Sequence, residues 1–382
     1  MIQTISMRWI AGILGWLMMT AFVVCGIRAD TQTALSFERQ GQWQQAEQAW
    51  RDTIQRNPQD GQAYAHLGLV LAHQNNYEQA VTAYRKAIAL KTKLPGLQLD
   101  LGLALFKQEK LRDAISPLKI AVAEDPANMQ AKILLSMCYF GTAKYAEAVP
   151  LLQAAVTANP ENLQLRTTLA QSCLWSAHYD CTLEQYKRII ALSPESAQAD
   201  MLAGEAFDGL GDAQGAIKQF EAAAAASPQE PNVHFGLGYL LFKQHQYEAA
   251  KTEFGEELKN DPNHAQALAY LGDTLIKLNQ DSDALPLVEK AAKLPNPSRV
   301  AFVDLGILYT AQKRNAEAVA ALQRAIALDP AQVDAHWRLA RLYQSMGMKE
   351  EAKIEFDKAR TMNEESDQAL FKKLGKGRTS QP

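Results

Sequence analysis

One unit of 34 residues recurs ten times, without a single insertion, from residue 27 to residue 366. A unit that short cannot bury its own apolar face, so a strict period of this length folds by stacking each unit on its neighbours. The units begin at Ile27, Gly61, Pro95, Met129, Leu163, Ala197, Pro231, Ala265, Arg299 and Val333. Three columns hold the register. The eighth position is always small: Ala34, Gly68, Gly102, Ser136, Ala170, Gly204, Gly238, Gly272, Gly306 and Ala340. The twentieth is alanine in every unit except the fifth, which has Thr182. The twenty-fourth is always large and apolar, as in Trp50, Tyr84, Leu118, Phe220 and Phe254.

Each unit reads as a helical hairpin. In the seventh, Val233, Leu237, Gly238 and Leu241 fall at helical spacing, and Gln244-His245-Gln246 makes a polar turn. Tyr247, Ala250, Phe254 and Leu258 mark a second helix, which Asp261-Pro262 stops, because proline cannot continue a helix. The small columns mark a close crossing of the two helices, and leucine at Gly238 or Ala250 would overpack it at a cost of roughly 1–3 kcal/mol. The abundance of alanine, leucine, glutamine, glutamate and lysine favours helix, and no run of alternating β-branched residues calls for a sheet.

The order Leu-Gly, aromatic or leucine, alanine, aromatic, proline resembles the tetratricopeptide repeat, shown in the second unit by Tyr64, Leu67-Gly68, Leu71, Tyr77, Ala80, Tyr84 and Ala87. Departures are local: Thr92 and Asn296 replace the terminal proline, and Ala213, Asp281, Asn315 and Lys349 replace the aromatic at position 17. The resemblance implies an all-α, right-handed superhelical solenoid of antiparallel helix-turn-helix repeats, with the first helix of each pair on the concave side. The repeats are expected to form one domain, closed by a capping helix over residues 367–374 and followed by a disordered basic tail, 375–382.

The first 29 residues carry a separate message. Arg8 precedes Trp9 to Gly26, an uncharged apolar stretch that resembles an export signal and is also long enough to be an uncleaved membrane anchor. Cleavage would fall after Gly26 or Ala29, and Val24 before Cys25 argues against a lipoprotein signal. Both alternatives, secretion and membrane attachment through residues 9–26, place the repeats outside the cytoplasm. Three cysteines remain beyond the leader, Cys138, Cys173 and Cys181. They are expected as small buried residues, although an oxidising compartment would allow a disulfide between Cys173 and Cys181.

Without the leader, 37 basic residues face 42 acidic ones, a net charge of −5. No nucleic-acid partner is expected, since that needs clustered positive charge. No phosphate-binding loop, dinucleotide fingerprint, His-Glu-x-x-His or nucleophile elbow occurs, so no enzyme activity, cofactor or metal is expected. His66 and His73, seven apart on one helix, make at most a weak metal pair. Two functions known among similar arrays lack their residues here. The sixth column carries no asparagine ladder of the kind found in sugar transferases, and the fifth has no lysine for a chaperone-tail carboxylate clamp.

Positions 5, 9 and 12 of a first helix share one face. They read Leu99, Leu103 and Phe106 in the third unit, Ile133, Met137 and Phe140 in the fourth, and Phe235, Tyr239 and Phe242 in the seventh. In the sixth they are Met201, Glu205 and Asp208, an acidic step between two apolar patches. Two arrangements fit these nine residues: an open groove for an apolar or amphipathic peptide segment of a protein partner, or a stripe sealed between adjacent repeats. A carbohydrate-binding role in envelope polysaccharide export is the alternative function, with Trp175, Phe235 and Tyr239 as stacking platforms.

Overall fold

The computed structural model describes the backbone of residues 31–377 and side chains up to residue 365. The leader, Cys25 and the end of the expected tail lie outside the described residues. Within them the chain is all helical, in antiparallel pairs that follow the 34-residue register. The seventh unit is one such pair, Val233–Lys243 and Tyr247–Asn260. No helix among the described residues is long and apolar enough to cross a membrane.

Expected as one array, the chain divides into two compact units, up to Gln185 and from Tyr186, inside the second helix of repeat 5 (Tyr179–Leu192). A stack of repeats touches only its neighbours, so it can be parted at such a point without opening one common core. In each unit, first helices pack on their own partners and on the second helix of the repeat before, as in repeats 2 to 4 and 7 to 10. First helices of successive repeats also meet directly, as do those of repeats 3 and 4 and those of repeats 8 and 9. Within each unit these first helices therefore line up as a wall.

The small columns do what their spacing predicts. A Cβ on Gly102 would fall 2.5 Å from Leu118, one on Gly238 2.8 Å from Phe254, and one on Gly306 2.6 Å from Leu322. Position 8 is thus small because the position-24 side chain of the same repeat lies on its backbone. Trp50, Tyr84, Leu118, Leu152, Phe254, Val288 and Leu322 are all buried there. Polar clasps tie positions 4 and 23 across some hairpins. Arg166 donates to Gln185 at 2.7 Å, His234 Nδ1 meets Glu253 at 2.7 Å, and His336 meets Glu355.

The turn inside every repeat has one conformation. Position 15 takes positive φ all ten times, at Gly41, Asn75, Glu109, Ala143, Ala177, Gly211, His245, Asn279, Lys313 and Gly347. The next N–H then bonds back five residues, as from Lys144 to Tyr139 at 2.8 Å and from His178 to Cys173 at 2.8 Å. This closes the first helix in a Schellman turn. Several starts are capped by position 34 of the preceding repeat, where Asp60, Asn128 and Asn162 accept from backbone N–H groups at 2.9–3.0 Å. Repeats 3 and 7 begin with Pro95 and Pro231, and their first helices start two residues later, at Leu97 and Val233. In repeat 7 the buried Glu257 carboxylate caps that start, accepting from Asn232 and Phe235 N–H at 3.1 and 3.0 Å.

Two expectations are corrected. Cys173 and Cys181 are joined in a disulfide, with Cα atoms 5.8 Å apart. The hairpin turn brings position 11 of the first helix against position 19 of the second, which residue spacing alone did not resolve. Cys138 is free and buried. At the C-terminal end, the last helix runs unbroken over Lys349–Gly377. The segment 367–374 therefore continues that helix instead of forming a separate cap, and residues 375–377 extend it. No proline stands at the end of the tenth repeat to stop it.

Candidate functional site

All nine groove residues are half-buried. Their inner edges pack on the core. Leu99 and Phe106 lie against the buried cluster of the first unit, Ile133 and Met137 against that of repeats 4 and 5, and Phe235, Tyr239 and Phe242 against Leu237, Leu241 and Phe254. Their outer edges stay accessible. These nine side chains are thus neither sealed between adjacent repeats nor fully open.

Cavities recur at the same columns. In the first unit a pocket of about 180 Å³ is lined by Leu69, Ala72 and Tyr84 of repeat 2 and by Asp100, Leu103, Ala104 and Lys107 of repeat 3, with His73 and Tyr77 at its edge. In the second unit a pocket of about 300 Å³ is lined by Ile307, Thr310 and Leu322 of repeat 9 and by Arg338, Arg341, Leu342 and Ser345 of repeat 10, with Trp337 beside them. Both use positions 9, 12 and 24 of one repeat and 6, 9, 10 and 13 of the next. The stacking geometry therefore makes a pocket at a repeat junction, and the sequence in those columns sets its chemistry. In the first, burial raises the Asp100 carboxyl above its ordinary range, with His73 acting in the opposite direction. In the second, Arg338 pairs with Asp334 at 2.9 Å, and the Arg341 guanidinium lies 4.7 Å from the centre of the Trp337 ring.

His66 and His73 are held apart by their neighbours. His66 stacks on Trp50 at 4.8 Å and bonds Glu38 at 3.1 Å, while His73 stacks on Trp43 at 4.1 Å. Among the described residues, no group of three or more His, Cys, Asp or Glu is placed to hold a metal ion.

Aromatic side chains gather in each unit. In the first, Phe140 lies 5.7 Å from Tyr145 and 5.6 Å from Trp175, which is 48% exposed. In the second, Tyr270 is the hub: 5.3 Å from Tyr239, 6.0 Å from Phe235 and 5.7 Å from Phe242. Tyr270 occupies position 6 of repeat 8, a column absent from the nine residues expected. The appearance of Asp100, Tyr270, Asp304 and Arg338 in that column was the available signal. The acidic step is partly neutralised. Asp208 accepts from Lys243 Nζ at 2.6 Å, while Glu205 is exposed.

Stacked helical hairpins with a pocketed wall of first helices define a helical-repeat binding scaffold. The tetratricopeptide repeat family model matches residues 31–95, 99–162, 179–231 and 235–298. Related repeat models match 209–256, 306–347 and 333–366. The chain belongs to the tetratricopeptide repeat family, and its array is a protein–protein interaction scaffold. Its sequence is 29% identical over 107 residues to the auxiliary subunit NAA15 of the N-terminal acetyltransferase A complex of Arabidopsis thaliana, covering 28% of this chain and 12% of that one. It is 24% identical over 139 residues to the BBSome complex member bbs-4 of Caenorhabditis elegans, covering 36% and 30%. The chain thus spans less than a third of either relative. A tetratricopeptide repeat protein from Parabacteroides merdae has a similar fold, with a TM-score of 0.51 at 17% identity over 65% of this chain and 97% of that one. The structure of Naa15/Naa10 bound to HypK-THB aligns with a TM-score of 0.48 at 16% identity, over 88% and 63%.

Proposed function

We propose that this protein is an exported, non-catalytic scaffold that holds an apolar or amphipathic peptide segment of a protein partner on the wall of first helices. The observation that carries this is the half-buried, aromatic character of positions 5, 9 and 12. They are anchored firmly enough to be ordered and open enough to receive side chains. Export is supported by the uncharged apolar stretch Trp9 to Gly26 and by the Cys173–Cys181 disulfide, which suits an oxidising compartment. The net charge of −5 without the leader favours protein over nucleic acid.

Crosslinking in the native envelope tests it. A variant carrying Phe106→Glu, Phe140→Glu and Phe242→Glu, shown folded by circular dichroism, should lose a partner that the wild type captures. An unchanged partner set would take binding away from this wall.

The exposed Trp175, 4.8 Å from Tyr145, is the one observation that favours a glycan ligand instead. On that account a glycan array would give signals that Trp175→Ala abolishes.

A further inference from the structure

The second unit carries an aromatic wall with an unpaired carboxylate on each side. The wall is Phe235, Tyr239 and Phe242 of repeat 7 with Tyr270 of repeat 8. On the repeat 6 side stands Glu205, exposed and without an ion-pair partner among the described residues, whereas Asp208 close by holds Lys243. On the repeat 9 side stands Asp304. It is only 3% exposed, and its Oδ2 has no hydrogen-bond partner.

The charges around Asp304 explain why it is left over. The first helix of repeat 8 presents Asp273 and Lys277, and that of repeat 10 presents Asp334 and Arg338. Lys277 lies 3.6 Å from Asp273, and Arg338 lies 2.9 Å from Asp334. Each cation thus has a carboxylate of its own helix, and the third carboxylate has none. Burial, and then the charge of Asp273, push the Asp304 carboxyl well above its ordinary range. Such a group costs the free protein stability and returns nothing to its packing, a local violation of the kind found at binding sites. Its column points the same way, because Asp100 and Arg338, also at position 6, line the groove pockets of their own repeats.

We propose that the first helices of repeats 6 to 9 receive a basic amphipathic peptide. Its apolar or aromatic side chain lies on Phe235, Tyr239, Phe242 and Tyr270, a lysine or arginine pairs with Asp304, and a second basic residue meets Glu205. This rests on the peptide-scaffold function proposed above and adds the charge of the segment. The ligand cation supplies the hydrogen bond that Asp304 lacks, at a carboxyl already withdrawn from water beside an apolar surface, where a charged hydrogen bond is strong.

The test is selection of a random dodecapeptide display library on the full-length protein, followed by affinities of the selected peptides made synthetically. Enriched peptides should combine apolar residues with lysine or arginine. Replacing the key basic residue by norleucine should weaken binding about tenfold, as should Asp304→Asn, and the two changes together should cost little more than either alone. Desolvation pushes the carboxyls of both Asp304 and Glu205 upward, so wild-type affinity should also rise with pH as they ionise, and Asp304→Asn should make that rise smaller. Glu205→Gln, at an exposed position, gives a second variant that does not disturb the buried cluster. Enriched peptides without basic residues, or a basic preference untouched by both carboxylate variants, would overturn this inference and leave the peptide groove standing. Absence of any enriched peptide would instead overturn the groove itself.

Discussion

The turn at position 15 shows how one backbone angle overrides side-chain preference. Glycine fills it at Gly41, Gly211 and Gly347, but Ala143 and Ala177 hold φ of 58° and 59° there. A left-handed alanine costs about 1–2 kcal/mol, part of which glycine gives back through its greater freedom in the unfolded chain. Both alanines are exposed, so replacing them removes no packing. Ala143→Gly and Ala177→Gly should each raise stability by about 0.5–1 kcal/mol, read as a higher urea midpoint with unchanged slope. A lower midpoint would mean that the turn relaxes in solution. This column was invisible in the sequence because its side chains have nothing in common, whereas columns 8, 20 and 24 were legible because their sizes interlock. The site divides in the same way. The apolar face at positions 5, 9 and 12 followed from helical spacing, but Tyr270 and Asp304 act across repeat junctions, which no periodicity within one helix reports.

At the scale of the hairpin, repeat 5 departs most from its fellows. Thr182 replaces the crossing alanine and donates to the Ala170 carbonyl at 3.3 Å, and the Cys173–Cys181 disulfide spans the turn. The covalent link joins residues only 8 apart, so it removes modest entropy from the unfolded chain, worth about 2–3 kcal/mol for a loop this short. Peptide mapping without reductant should recover the two cysteines as one linked pair, and Cys173→Ala with Cys181→Ala should lower stability by about that amount. Free thiols at both positions in protein taken from the native envelope would contradict the assignment and remove one support for export. Cys138 serves as the internal control. Burial pushes its thiol up to about 11, so it should resist alkylation in the folded protein near neutral pH.

For the whole molecule, stability should follow the nearest-neighbour character of the stack. Repeats that touch only adjacent repeats behave as coupled local units, so damage spreads by a repeat or two and fades. Gly272 offers a clean place to introduce it, because a Cβ there would fall 2.3 Å from Val288 Cγ1, a buried side chain in the partner helix. Gly272→Leu should overpack that crossing by roughly 1–3 kcal/mol. Hydrogen exchange followed by mass spectrometry should then show protection falling in repeats 7 to 9, while the amides of repeats 2 and 3 keep their wild-type rates. That outcome would place the aromatic wall of the second unit and the pocket beside Asp100 in the first on independently stable supports, so that either could be altered without melting the other. A uniform loss of protection from repeat 2 to repeat 10 would instead make the array one cooperative body. Every groove variant would then have to be judged against global unfolding before any change in binding was assigned to the altered side chain.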